Sequence, residues 1–378
     1  MPTTLRRLLI VSALGLATLA AYLLLWPVPA QPVAWQTPTP APYAGAHAVN
    51  TKLANLQTIE IGRETGPEHL AFGKDGKLYA AVASGAILRM NADGSGRESF
   101  VNTGGRVLGF DFDTQCHLIA ADAMRGLLSI SPDGKVSVLA DQVGGDPIRY
   151  ANAVAVAKTG KIYLSDASTR FAPKQWGGTF EASVLDILEQ SSTGRVIEYD
   201  PATKATRIVA KGLSFANGVV LSSNERHVFV AETGKYRIWR IDVNAQDLDV
   251  RQTSGLSGAT HVVLPNLPGY PDNLMRGLPA ADGKAKIWVG LAKPRSPVVD
   301  GMAEKPLLRS ITLRLPRFLW PIPPRYGHVI AFLEDGTVVQ DLQDPSGAYP
   351  ETTSVLETPE RLYIQSLHAQ HIGWMKRP

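Results

Sequence analysis

Asn217 heads the apolar run Gly218-Val219-Val220-Leu221, and the arrangement recurs along the chain. Glu68 precedes Leu70-Ala71-Phe72, Asn152 precedes Ala153-Val154-Ala155-Val156, and Asp272-Asn273 precede Leu274. In each case an oxygen-bearing side chain stands at the start of a buried strand. Burying such a group unpaired costs a few kcal/mol, so it needs a partner. One Asn alone reads as a cap that satisfies nearby backbone. Four modules in succession that each offer an oxygen read differently: the oxygens meet on one axis around a cation. Carboxylates and amide carbonyls are hard ligands and suit Ca²⁺ at about 2.3–2.6 Å, with another divalent cation as the alternative. A set without His or Cys holds Zn²⁺ or Cu²⁺ poorly. Such a cation can act as a Lewis acid on a bound carbonyl and offset the oxyanion of a tetrahedral intermediate. Water is then the nucleophile, and a base must take its proton.

The elements that would position these oxygens are short strands. Asp75-Gly76, Asp93-Gly94, Asp133-Gly134, Asp282-Gly283 and Asp335-Gly336 each lie between apolar runs, a hairpin signal. The runs group into units: a polar residue, an apolar strand, a turn, a second apolar strand, then a more polar one. The second strands are 77–82, 117–121, 161–166, 227–232, 286–291 and 360–367. Six units at roughly 40–70 residues approach the spacing of propeller blades. The expected fold is therefore all-β, a six-bladed β-propeller over residues 53–378. Closure should pair a strand within 56–61 with the C-terminal strands around 370–374. Two insertions break the rhythm, 170–193 and 293–326.

Ahead of the propeller, Leu8 to Trp26 are uncharged and nearly all apolar, with Arg6-Arg7 in front. About 20 such residues span a hydrocarbon core, and the basic flank keeps that end cytoplasmic. Residues 1–26 thus read as one N-terminal transmembrane helix, a signal anchor that places the propeller on the periplasmic or extracellular side; a signal peptide cut after Ala30 is the alternative. Residues 27–52 contain Pro27, Pro29, Pro32, Pro38, Pro40 and Pro42, and such a segment is expected to be a semi-rigid spacer. Within the second insertion, 307–322 alternates apolar residues with Arg and ends near Trp320; it reads as a lid over the propeller face, as a membrane contact, or as both.

Composition excludes several classes. Apolar residues at 44% and charged residues at 19% describe a globular chain. Net charge is +4, and no basic stripe is interleaved with aromatics, so nucleic acid is not an expected partner. Cys116 is the only cysteine, which rules out an intrachain disulfide and a thiolate zinc cluster. There is no Gly-x-Ser-x-Gly elbow, and no phosphate loop or dinucleotide fingerprint. The eight histidines are scattered, although His328 and His368 fall where they could approach a pocket.

From Gly66-Pro67-Glu68-His69-Leu70-Ala71-Phe72 onward the chain resembles the strictosidine synthase-like proteins, within a wider set that includes gluconolactonases and paraoxonases. The resemblance runs through Arg106–Phe110, Ile162–Ser168, Gly194–Pro201, Leu213–Gly218, Ala231–Thr233 and Leu267–Asn273. It implies a six-bladed propeller and calcium ligands at Glu68, Asn152, Asn217, Asp272 and Asn273. It also implies Asp272 as the catalytic base; Asp166, in Tyr163-Leu164-Ser165-Asp166, is the second candidate, against the alternative that it stabilises a turn or its blade. Departures matter as much. The places of two paraoxonase histidines fall at Leu108 and Ala123, and that of the plant synthase glutamate at Thr353. Condensation chemistry of the synthase kind is therefore disfavoured. The expected function is metal-dependent hydrolysis of a small-molecule lactone or aryl ester, and the alternative is a binding or scaffold propeller with a structural metal.

Overall fold

A computed structural model describes residues 3–40, 43–256, 258 and 260–378; Met1 and Pro2 of the anchor and Pro42 of the linker lie outside the described residues. Among the described residues, six sheets of four or five strands follow one another along the chain, antiparallel except for one parallel edge strand in the third. Their first strands are His69–Phe72, Val107–Phe112, Ala151–Val156, Ala216–Leu221, Gly269–Arg276 and Thr352–Glu357. These six contact one another in a closed ring, so they surround the axis of a six-bladed β-propeller. The last blade is completed by the N-terminal strand Gln57–Glu60, which pairs with His371–Lys376 in the register Gln57–Trp374 to Glu60–His371. That is the closure expected from the sequence. The second strands also fall where their apolar patterns place them, from Leu78–Ala81 to Arg361–Ser366.

The first strands are irregular at one recurring place. Register shifts occur between Ala151 and Val154, Ala216 and Val219, Pro271 and Leu274, and Thr352 and Val355. A bulge bends its strand and re-aims a side chain. The bulged positions include Asn152, Asn217, Asp272 and Asn273, the residues whose oxygens need aiming. Close approach matters as well: a Cβ on Gly218 would lie 2.2 Å from the Leu274 nitrogen. The missing side chain after Asn217 is what lets blades 4 and 5 meet at the axis.

The second strands of three blades end on a carboxylate that clamps the entrance to the first strand. Asp122 accepts from the Arg106 amide (3.1 Å) and the Thr103 hydroxyl (2.7 Å). Asp166 accepts from the Tyr150 and Arg149 amides (2.8 and 3.2 Å) and from Arg195 Nε (3.0 Å). Glu232 accepts from the Ser214 amide (2.9 Å) and Trp239 Nε1 (2.7 Å).

One helix, Thr3–Leu25, is long and apolar enough to cross a membrane, and none of it is buried. At 1.5 Å per residue its 23 residues extend about 34 Å, enough to cross a single bilayer. The stretch after this helix is not a semi-rigid spacer standing clear of the propeller. The Val33 amide donates to Glu189 O (2.8 Å), the Trp35 amide to Ala303 O (3.2 Å), and Arg295 binds Thr37 Oγ1 and Pro38 O (2.9 and 2.7 Å). Ala30 and Leu53 are buried. Partners from distant insertions satisfy a backbone that looked solvated, so the segment is strapped to the propeller.

Both insertions form a lid on one face. The first holds the helices Pro173–Trp176 and Thr179–Glu189, the second Pro297–Gly301 and Pro306–Arg314. Arg309 joins them. It is 1% exposed and donates to Leu188 O and Ala303 O (both 2.9 Å) and to Val33 O. Leu188 lies in the last turn of its helix and Ala303 just beyond another, so the guanidinium caps carbonyls that helix ends leave unpaired.

Candidate active site

Beneath the lid two chambers open from the axis. One, about 300 Å³, is lined by Glu68, Arg106, Tyr150, Asn152 and His368; the other, about 160 Å³, by lid and wall residues such as Ile187, Tyr270, Trp320 and Ile322. Asn217, Asp272, Phe180 and Phe215 line both, so the chambers are two parts of one mouth with a polar floor and an apolar wall.

The floor gathers four of the five expected ligands: Glu68, Asn152, Asn217 and Asp272 all line it. Asn273 stands just behind. Its amide nitrogen donates to Glu68 O (3.2 Å), and that bond fixes which end of the amide is oxygen. The Oδ1 atoms of Asn152, Asn217 and Asn273 are buried, and no donor among the described residues reaches them. Buried carbonyl oxygens are rarely left so. Burial raises the pKa of both acids; in Asp272 the charge of Glu68 raises it further, and in Glu68 the Arg106 guanidinium works against the rise. Three orphaned oxygens beside two mutually repelling carboxylates, in a set free of nitrogen and sulfur, fit a hard divalent cation. Phe215, two residues before Asn217, holds φ +59°, a conformation that costs about 1–3 kcal/mol for such a residue. Its ring meets Tyr150 edge-on at 5.2 Å, which holds the floor in place.

The second base candidate, Asp166, does not reach this floor. It is fully buried, its oxygens are committed to the clamp described above, and it lines neither chamber. Leu108 lines the polar chamber as an apolar wall, and Ala123 packs in the core under the lid. Thr353 is buried and donates to Glu68 O (2.8 Å), so it supports the ligand-bearing turn instead of facing a substrate. His69 packs edge-on against Phe110 (4.8 Å), and burial lowers its pKa to about 4. His368 does reach the mouth, bonded to Glu351, which Lys293 Nζ also holds (2.7 Å).

Arg106 is a site residue that sequence reasoning passed over. Its Nη2 binds Glu68, while Nη1 is buried and unpartnered among the described residues. The signal was present: Arg106 heads the apolar run Val107-Leu108 as the ligands head theirs. Away from the mouth, His47, His328 and Asp341 bring ligand atoms within 4.8 Å of one another. This cluster is able to chelate a metal. It lines neither chamber, and its nitrogen donors do not single out calcium.

A six-bladed propeller whose axial strands aim oxygen donors into one lidded mouth defines the class. Within it, the chain is 31% identical over 333 residues to strictosidine synthase-like protein 6 of Arabidopsis thaliana, covering 85% of this chain and 81% of that protein. It is 30% identical over 356 residues to the adipocyte plasma membrane-associated protein of Salmo salar, covering 87% and 80%. Residues 152–246 match the strictosidine synthase family and 45–90 the strictosidine synthase-like N-terminal family. The chain belongs to the strictosidine synthase-like family. Its fold is similar to a gluconolactonase from Xanthomonas campestris (TM-score 0.58, 16% identity, 92% of this chain and 96% of that one). It is also similar to the calcium-binding protein regucalcin from Agrobacterium tumefaciens (TM-score 0.53, 11% identity, 82% and 85%).

Proposed function

We propose that this protein is a membrane-anchored, calcium-dependent hydrolase of lactones or aryl esters. The observation that carries the reading is the trio of orphaned amide oxygens, Asn152, Asn217 and Asn273, beside Glu68 and Asp272. Those five residues would hold the cation, which when bound supplies Lewis-acid polarisation of the scissile carbonyl. The Arg106 guanidinium lines the same chamber and would add positive charge where oxyanion charge develops. Asp272, in its carboxylate form, would take the proton from the attacking water. Phe180, Phe215, Tyr270 and Trp320 orient the apolar part of the substrate and exclude bulk water. The names of the propellers with this fold, a gluconolactonase and a calcium-binding protein, agree with the reading. The test is turnover of a lactone and aryl-ester panel before and after chelation. Loss on chelation with recovery on Ca²⁺ is expected; turnover indifferent to chelation would remove the reading.

A second reading, a binding propeller with a structural metal, is favoured by one observation: Glu68 is already paired with Arg106. Ca²⁺ that raises the melting temperature with no turnover across the panel would select it.

The membrane is the second partner. Arg6-Arg7 in front of the helix put the propeller on the periplasmic or extracellular side. The end of that helix rests on the lid: Tyr22 OH donates to Arg314 O (2.9 Å) and Arg314 Nε to Trp26 O (2.6 Å). Next in the chain Phe318 is 84% exposed, and Leu319 and Ile322 are half exposed. Apolar side chains continuous with a membrane helix insert into the interface. The double variant Phe318→Asp, Leu319→Asp is expected to slow hydrolysis of a vesicle-borne ester about tenfold or more while sparing a water-soluble aryl ester. Equal rates on the vesicle substrate would show that 307–322 acts as a lid only.

A further inference from the structure

The His47, His328 and Asp341 cluster lies outside the hub, and its chemistry differs from the hub's. Its three members come from three segments: His47 from the strapped linker, in the short turn Gly45–His47; His328 from the strand Gly327–Leu333; Asp341 from the outer strand Val338–Asp344 of the same blade. One carboxylate oxygen receives both rings. Asp341 Oδ2 lies 2.7 Å from His47 Nδ1 and 3.0 Å from His328 Nε2. The other, Oδ1, is held by Gln343 Nε2 (2.5 Å), and Gln343 Oε1 accepts from Tyr326 OH (2.7 Å). That relay orients the carboxylate from behind, as outer partners of metal ligands do; His328 Nε2 also lies 3.1 Å from Oδ1, so both rings face the same carboxylate. His328 and Asp341 are buried, and His47 keeps 17% of its side chain exposed, an entry path for an ion.

We propose that this cluster is a second cation site, for a borderline transition metal of the Zn²⁺ type, that clips the linker to the outer edge of blade 5. Two imidazole nitrogens and one carboxylate oxygen are the donors such an ion takes, and its fourth position goes to water. Bonds of about 2.0–2.1 Å at tetrahedral angles put ligand atoms about 3.3 Å apart. The contacts of 2.7 and 3.0 Å would open by roughly 0.3–0.6 Å to admit the ion, and all three ligand atoms already lie within 4.8 Å of one another. The backbone around the clip is already in register: Gln343 N donates to Asn50 Oδ1 (3.0 Å), Asn50 Nδ2 to Asp341 O (3.2 Å), and the Leu53 amide to Gln343 O (3.0 Å). An ion there fixes the linker, and with it the path to the anchor, in a way hydrogen bonds at a chain edge do not.

The test uses the full chain in detergent, stripped with chelator and loaded with Zn²⁺ or Co²⁺. Wild type should retain about one equivalent of Zn²⁺ through gel filtration and give the visible bands of four-coordinate Co²⁺. His47→Ala, which alters only the linker side, should lose both while its propeller melts normally, and Asp341→Asn should lose both as well. Asn217→Leu, a change in the hub, should keep both. Chelation should speed proteolysis of the linker in wild type but not in His47→Ala. No retained Zn²⁺ or Co²⁺ bands, or retention that His47→Ala leaves unchanged, would overturn the site and leave a His–Asp–His hydrogen-bonded clip.

Discussion

Replacing Asn217 with Leu should reverse its effect on stability according to whether Ca²⁺ is present. In chelated protein the variant is expected to be as stable as wild type or more so. The substitution removes a buried carbonyl oxygen that finds no donor among the described residues; relieving such a group is worth about 1–3 kcal/mol, which offsets the lost side-chain hydrogen bond to Asp272. With Ca²⁺ the order inverts. An ion that binds only the folded state stabilises it by about 2.7 kcal/mol at about 100 times its Kd, and the variant should forfeit most of that. Turnover should fall by about 10–100-fold or more, the scale on which even outer partners of metal ligands matter, since the ion that would polarise the carbonyl loses one of its own ligands. Leu suits the test because it nearly conserves volume, and Gly218 beside it keeps the close approach to blade 5. Thermal melts with chelator and with Ca²⁺, on both proteins, give the four values required. Equal destabilisation of the variant in both conditions would show that the Asn217 amide serves the fold and not an ion.

Much of this architecture was readable because it depends on local signals. Asp-Gly pairs require a left-handed residue, and Gly76, Gly94, Gly134, Gly283 and Gly336 all have positive φ. The apolar second strands need only their own pattern. Gln57–Glu60 could be assigned to the last blade because an odd strand at each end of the chain must find its partner. Other features depend on partners that sequence does not show. The bulges that carry Asn152, Asn217 and Asp272 arise from register against a neighbouring strand. Asp166 looked like a second base because its type and position allow it. The sequence also allows it a blade-stabilising role, and beside Asp122 and Glu232, which clamp the same place in other blades, that role is the one observed. The recurrence at the ends of Ala120-Ala121-Asp122, Leu164-Ser165-Asp166 and Val230-Ala231-Glu232 was there to be read. The linker misled for the opposite reason. Its proline content describes an unpartnered chain, while its actual partners, Glu189, Arg295 and Arg309, lie more than a hundred residues away.

Arg309 should be the residue on which the lid depends most. It is a buried cation with no carboxylate among its bonded partners; backbone carbonyls of Leu188, Ala303 and Val33 take its protons, and burial lowers its pKa. Arg309→Met keeps the length and apolar stem but leaves those three carbonyls without that donor. Ala303 O keeps the Trp35 amide, so at about 1–3 kcal/mol for each buried group left unpaired the loss of the bonds to Leu188 O and Val33 O should cost the lid about 2 kcal/mol or more of local stability. Arg309→Lys should recover only part of it, because one ammonium cannot reproduce the planar fork that reaches three oxygens. The propeller rings do not use Arg309, so the loss should be confined. Amide exchange should accelerate in 179–189 and 297–314 while the axial strands stay protected. On the reading of the mouth as an active site, Trp320 and Ile322 would no longer be held against the apolar chamber, so KM for a soluble ester should rise more than kcat falls. Wild-type exchange across both lid segments in Arg309→Met would mean that the lid is held by its apolar contacts, with the guanidinium an accessory.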